Sequence, residues 1–198
     1  MPGGAPEAAG KEERPPVIVV SGSPGSGKST IARALARRLG LRYLYTGELF
    51  RELAASMGLS IVELSRMAES DPSIDLKIDR RTIEEALRGG LVIDSHLAGW
   101  VLAGIADFSV YLKAPLAVRA SRIASRESGD PKTAALETIA REESQWRRFR
   151  SLYGVDSSDL SVFDLVVETS HYTPEEVVDL VLHALPRSLR ARLGLEDR

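Results

Sequence analysis

Residues 22–29, Gly22-Ser23-Pro24-Gly25-Ser26-Gly27-Lys28-Ser29, follow the spacing G-x-x-x-x-G-K-S. That pattern turns successive backbone N–H groups toward phosphate oxygens, with no Cβ in the way at the glycines. In such a loop Lys28 reaches the β- and γ-phosphates, and the Ser29 hydroxyl is offered to Mg²⁺. A second candidate for the metal is Asp94, an acid that follows the apolar run Leu91-Val92-Ile93. An acid at such a strand end can hold Mg²⁺ directly or through water. Guanidinium groups that neutralise charge on a moving phosphoryl group form the third ingredient. Arg119, Arg122 and Arg126 fall at i, i+3 and i+7, on one helix face. Arg141 and Arg148 lie seven apart on the next helical segment, with Arg147 and Arg150 beside them.

A chance match to the phosphate-loop pattern arises in roughly one chain in a hundred of this length, so its flanks matter. Val17-Ile18-Val19-Val20 precedes it and has the composition of a short buried strand. After it, Ile31, Leu35 and Leu39 recur every fourth residue, giving a helix with one apolar stripe that ends at Gly40. The same reasoning predicts strands at Leu41–Tyr45, Leu91–Asp94, Phe108–Leu112 and Phe163–Glu168. Helix starts are expected at Thr46 as N-cap, at the Ser60/Glu63 capping box, at Asp71-Pro72, at Pro115, near Thr133 and at the Thr173/Glu176 capping box. The fourth of these helices is broken by Ser128-Gly129-Asp130-Pro131.

Alternating strands and helices imply an α/β fold: a five-stranded parallel sheet with helices on both faces. Residues 46–90 depart from the alternation, being helical throughout and longer than a crossover needs. They read as a helical insert over the carboxyl ends of the strands, where such sheets bind ligands. Arg51, near its start, is placed to contact a second phosphate, and Asp75, Asp79, Arg80 and Arg81 could read a base or sugar. The two arginine-bearing helices around residues 126–148 read as a short lid.

The chain of 198 residues has a formal net charge of −2, which argues against a general nucleic-acid or membrane-surface binder. Without cysteine it has no disulfide, thiolate metal site or thiol nucleophile. Only five of its 26 basic residues are lysines, a bias suited to bidentate phosphate contacts. Its three histidines lack metal-ligand spacing and receive no catalytic role. Residues 1–16 are rich in Pro, Gly, Ala and charge and read as a disordered tail without a signal-peptide core. Residues 187–198 read as a charged, frayed end, with the last ten, 189–198, set apart as a tail. No apolar run approaches a membrane span, so a cytoplasmic location is the default.

Taken together, Ser21 to Thr30, the segment Thr46-Gly47-Glu48-Leu49-Phe50-Arg51, the Asp94 strand and the arginine lid resemble a nucleoside monophosphate kinase. The likeness is to the cytidylate kinase family in its archaeal form, on Ser73-Ile74-Asp75 with Ile78-Asp79, Leu97-Ala98-Gly99-Trp100, Leu112-Lys113-Ala114-Pro115, Arg141-Glu142-Glu143 and Tyr153-Gly154-Val155-Asp156. It runs from about residue 17 to 185.

The resemblance implies a P-loop NTPase fold over residues 17–188, with 46–90 as the NMP-binding insert, and Mg²⁺-dependent transfer from ATP to CMP or dCMP. It implies ATP held by Gly22, Ser23, Pro24, Gly25, Ser26, Gly27, Lys28, Ser29 and Thr30. Lys28, Arg126, Arg141 and Arg148 would act on the transferring group, Thr46, Arg51 and Asp79 on the acceptor, and Ser29 and Asp94 on the metal. Thr169-Ser170-His171-Tyr172 would lie near the adenine. Ser95 and His96 stand where the family tends to place glycine and arginine, so that arginine's acceptor contact is not carried over. A monomer acting on small molecules is expected, without nucleic-acid or membrane partners.

An adenylate kinase or another small-molecule kinase on the same core is the first rival. A GTPase lacks support, because Lys113-Ala114-Pro115 follows the fourth strand and no D-x-x-G begins at Asp94. A helicase-type ATPase usually ends its strand on two acids, whereas Ser95 follows Asp94. A nucleotide-binding regulator would have no use for the lid arginines.

Overall fold

β1 (Val17–Gly22) is buried along its whole length, as its valine-rich run requires of a strand covered on both faces. Around it, a computed structural model that describes residues 14–195 places four more strands: β2 (Arg42–Tyr45), β3 (Leu91–Asp94), β4 (Phe108–Lys113) and β5 (Leu165–Glu168). All neighbours pair in parallel, in the order β2-β3-β1-β4-β5. The central strands β3, β1 and β4 are the buried ones, and the edge strands β2 and β5 are partly exposed.

Alternate residues of β1 feed two cores. Ile18 and Val20 pack with α1 (Lys28–Leu39), α8 (Pro174–Ala184) and α9 (Arg187–Arg192). Val17 and Val19 pack with the end of α4 (Ser73–Arg88) and with the short α5 (Ala98–Val101). The expected five-stranded parallel sheet with helices on both faces is therefore what forms.

The segment between β2 and β3 holds α2 (Thr46–Ser56), α3 (Ile61–Ala68) and α4. These three share a small apolar core of their own, built on Ala54, Leu64, Ala68 and Ile74. The Ser60/Glu63 and Thr173/Glu176 capping boxes are both formed. Thr46 is not an N-cap: it is the first helical residue, and its hydroxyl donates to the Asp94 carbonyl at 3.4 Å. α6 (Leu116–Glu127) ends at Ser128 with positive φ, and Asp130 caps α7 (Pro131–Tyr153). Where the two meet, Ala120, Ala124 and Ala134 are buried together, with Ile123 and Ala135 packed against them.

Two expectations need correction. The frayed C-terminal end does not hold over the described residues: 187–192 form α9, with Leu189 buried and Leu193 and Leu195 packed on the same core. Arg192 pairs with Asp107 at 2.8 Å. At the other end, residues 1–13 and 196–198 lie outside the described residues. Residues 14–16, expected in the disordered tail, are docked. Arg14 pairs with Asp107 at 3.1 Å and donates to the Ile105 carbonyl, and the Pro16 carbonyl accepts from Leu91 N at 3.2 Å. The physical reason is shared: Asp107, nearly enclosed, draws both Arg14 and Arg192 and also accepts from Val17 N at 2.8 Å.

Candidate active site

The loop between β1 and α1 closes on itself through Ser26 N to the Ser23 carbonyl, 3.2 Å. Gly22 sits at φ +146° against β4, where a Cβ would come within 2.1 Å of the Leu112 carbonyl oxygen, so no larger residue fits. No side chain caps α1, which leaves its leading amides open to an anion. Lys28 is buried, and its Nζ donates to the Ser23 carbonyl at 2.9 Å. Burial lowers its pKa to about 7; Asp94 opposes the shift, while Arg141 and Arg119 add to it.

A cleft of about 250 Å³ lies over this loop, and Lys28, Ser29, Tyr45, His96, Arg126 and Arg141 line it. Asp94 is fully buried at the end of β3; one carboxylate oxygen accepts from the Tyr43 hydroxyl at 2.8 Å and Oδ1 has no partner. A buried carboxylate oxygen without a donor is an acceptor waiting for water or a cation. Among the described residues no cluster of three or more acids and histidines makes a metal cage. The donor set therefore suits a hard, largely hydrated ion that shares its shell with phosphates, as Mg²⁺ does.

The arginines divide. Arg126 and Arg141 line the cleft. Arg119 and Arg122, expected on the lid face beside Arg126, are anchors instead. Arg119 donates to the Pro24 carbonyl at 3.1 Å and pairs with Glu142 at 2.8 Å. Arg122 donates to the Thr169 hydroxyl and carbonyl, both at 2.9 Å, and that hydroxyl donates to the Ser26 carbonyl at 3.0 Å. Thr169 is thus pinned to the phosphate loop, while His171 and Tyr172 beyond it are exposed.

Arg148 lies elsewhere. It pairs with Asp75 of α4 at 3.2 Å, next to Asp79, which accepts from the Tyr153 hydroxyl. Arg148 and Asp79 therefore join α7 to the insert and are not part of the cleft lining. Arg51 is exposed, its guanidinium 5.7 Å from the centre of the Tyr45 ring. Tyr45 lies so close to Gly47 that a Cβ there would meet the ring at 2.3 Å, which explains the glycine.

The sequence assigned no site role to His96 and Tyr45, which line the cleft, or to Ser95 beside His96. His96 lines the cleft with Nδ1 on the Gly22 carbonyl at 2.9 Å, and burial, helped by Lys28 and Arg141, holds its pKa well below the usual value. Because a carbonyl can only accept, the neutral ring carries its proton on Nδ1 and turns Nε2 out as an acceptor. Ser95 accepts from Leu97 N and Ala98 N and so starts α5. Tyr45, on an edge strand, forms one wall.

Asp79 carries a pH signature. Burial, reinforced by Asp75, raises its pKa to about 6, against the lowering effects of Tyr153 and Arg148. The folded state thus favours the protonated acid. Stability is greatest below the unfolded pKa near 3.8, falls as pH rises to about 6, and stays lower by on the order of 3 kcal/mol above it. Asp79→Asn, which keeps an acceptor for Tyr153, is expected to raise the thermal midpoint by about 5 °C at pH 8. The gain should vanish near pH 4, and melting curves at the two pH values check it.

Residues 17–171 match the model of the cytidylate kinase-like family. The chain is 53% identical over 169 residues to a cytidylate kinase of Ignicoccus hospitalis, covering 85% of this chain and 98% of that one. It is 52% identical to one of Aeropyrum pernix, with the same coverage. Among solved structures it is similar to the shikimate kinase of Acinetobacter baumannii in complex with shikimate, with a TM-score of 0.57 at 18% identity over 89% of this chain and 96% of that one. The phosphate loop, the parallel sheet and these relatives agree: the chain belongs to the cytidylate kinase-like family.

Proposed function

We propose that this chain transfers the γ-phosphoryl group of ATP to CMP, and to dCMP, giving ADP and CDP or dCDP. Phosphoryl transfer is carried by one observation: uncapped α1 amides, Lys28, Arg126 and Arg141 face a single cleft over the loop. The choice of CMP rests on relatives named cytidylate kinase that share about half of their residues with this chain across nearly their full length.

In this reading residues 22–30 hold the triphosphate of ATP, with Lys28 on the β- and γ-phosphates. Thr46 and Arg51 hold the acceptor phosphate, and Asp79 faces its nucleoside. Arg126 and Arg141 close with the lid, residues 126–148, and Arg148 ties that lid to the insert, residues 46–90. Ser29 and the free Asp94 Oδ1 would hold Mg²⁺, directly or through water, and the ion would neutralise charge on the phosphates. No side chain forms a covalent intermediate. The protein aligns the acceptor oxygen with the γ-phosphorus, excludes water and supplies positive charge. Water exclusion decides the outcome, because an open site hydrolyses ATP. The same reading takes the protein to be a cytoplasmic monomer. The described residues include no helix long and apolar enough to cross a membrane.

A coupled assay of ADP release, with ATP and each nucleoside monophosphate in turn, tests this. CMP and dCMP are expected to have the highest kcat/KM. Faster turnover of AMP would favour the adenylate kinase reading, and ADP release indifferent to any monophosphate would remove the kinase assignment. In the same assay Arg51→Ala is expected to raise the KM for CMP by about 10- to 100-fold, the loss of one charge-assisted phosphate contact. The KM for ATP should stay nearly constant; equal weakening of both substrates would take Arg51 out of the acceptor site.

A further inference from the structure

Asp94 on β3, assigned above to magnesium together with Ser29 on α1, is held by a residue without an assigned role. Tyr43 lies on the edge strand β2, opposite Val92 of β3. Its hydroxyl donates to Asp94 Oδ2 at 2.8 Å. The ring packs at the margin of the main core, and the Arg33 guanidinium lies over it, 5.3 Å from its centre.

An aspartate carboxylate turns easily about its last torsion and presents either oxygen. At Asp94 that freedom is removed. Oδ2 is taken by Tyr43, and Oδ1 is left buried and bare. A phenol is protonated at neutral pH, so the tyrosine is the donor of this bond and the carboxylate the acceptor. We propose that Tyr43 is the positioning residue of the metal site: it holds Asp94 Oδ2, so that Oδ1 faces the ion. The proposal rests on the reading that Ser29 and Asp94 hold magnesium. Tyr43 is not itself a ligand of phosphate or metal; it acts through Asp94. Outer hydrogen bonds of this kind typically tune metal affinity by about 10- to 100-fold.

Tyr43→Phe removes the hydroxyl and keeps the ring, its packing and its place under Arg33. The measurement is the affinity for ATP by calorimetry, without acceptor, once in millimolar magnesium and once in EDTA. For the parent protein and for Asp94→Asn, the ratio of the two affinities gives the contribution of the ion. Asp94→Asn is expected to lose most of that ratio. Tyr43→Phe is expected to reduce it by about tenfold while leaving the affinity in EDTA unchanged. Adding Tyr43→Phe to Asp94→Asn should change nothing further, since both act through one carboxylate. Should Asp94→Asn lose the ratio while Tyr43→Phe retains it, Tyr43 does not position the metal site and only this proposal fails. An equal loss of affinity in EDTA and in magnesium would make Tyr43 a structural residue and also overturn it. A normal ratio in Asp94→Asn would instead remove the ion from Asp94, and the proposal would fall with that reading.

Discussion

Lys28→Met is expected to lower the rate of phosphoryl transfer by a thousandfold or more, on the order of the loss when a charge on a transferring phosphoryl group is removed. Methionine matches the length of the lysine stem and suits a site where the side chain is only 7% exposed. The substitution takes away a cation whose pKa burial has already lowered to about 7. A base with a depressed folded pKa binds fewer protons when folded than when unfolded, here between about pH 7 and its usual value of 10.5. The parent therefore loses stability as pH falls through that window, and the variant escapes the loss. Its thermal midpoint at pH 7 should equal or exceed the parent's. ADP release with CMP, read beside a melting curve, separates the two effects. Full activity would remove Lys28 from the mechanism, and a large drop in midpoint would make the lesion structural.

Arg119→Leu is expected to act on stability, at a cost of about 3–5 kcal/mol, or a fall of about 10 °C in the thermal midpoint. Arg119 is buried and satisfies four acceptors: the Ala114 carbonyl at 3.0 Å, the Pro24 carbonyl at 3.1 Å, and the two Glu142 oxygens at 2.8 and 3.3 Å. Leucine would leave the Glu142 carboxylate, largely shielded from water, without its cation and the phosphate loop without one of its ties. Arg126, two turns further along α6, is exposed and pairs with its neighbour Glu127. Arg126→Leu should change stability by no more than about 0.5 kcal/mol. Denaturant titration of both variants makes the comparison. An Arg119→Leu protein of parental stability that no longer transfers phosphate would return Arg119 to the lid.

That contrast shows how far residue spacing reaches. Positions i, i+3 and i+7 put Arg119, Arg122 and Arg126 on one side of α6, but what covers that side is set by distant chain. The phosphate loop and Thr169 cover its first two turns, and the last is left open. Local signals did better. The phosphate loop, the Gly40 and Gly154 helix ends and both capping boxes formed as their short-range chemistry requires. α9 escaped because its arginines outnumber its apolar residues, although Leu189, Leu193 and Leu195 are enough to dock it. His96 and Tyr43 escaped for another reason. Each matters through a partner more than fifty positions away, Gly22 in one case and Asp94 in the other, and no local pattern announces such a pairing.

The alanine contact between α6 and α7 bears on how the site opens. Methyl groups bury little area and have no rotamers to freeze, and Ile123 is the one larger apolar side chain in that cluster, so the first turns of α7, which lead to Arg141, are held largely by close fit. From Glu142 onward the same helix is fixed by Arg119, Asp75 and Tyr153's partner Asp79. One rod thus has a loose end and a fast end. If residues 126–148 act as the proposed lid, swinging the loose end away would break no buried ion pair, and product could leave without melting the body of the fold.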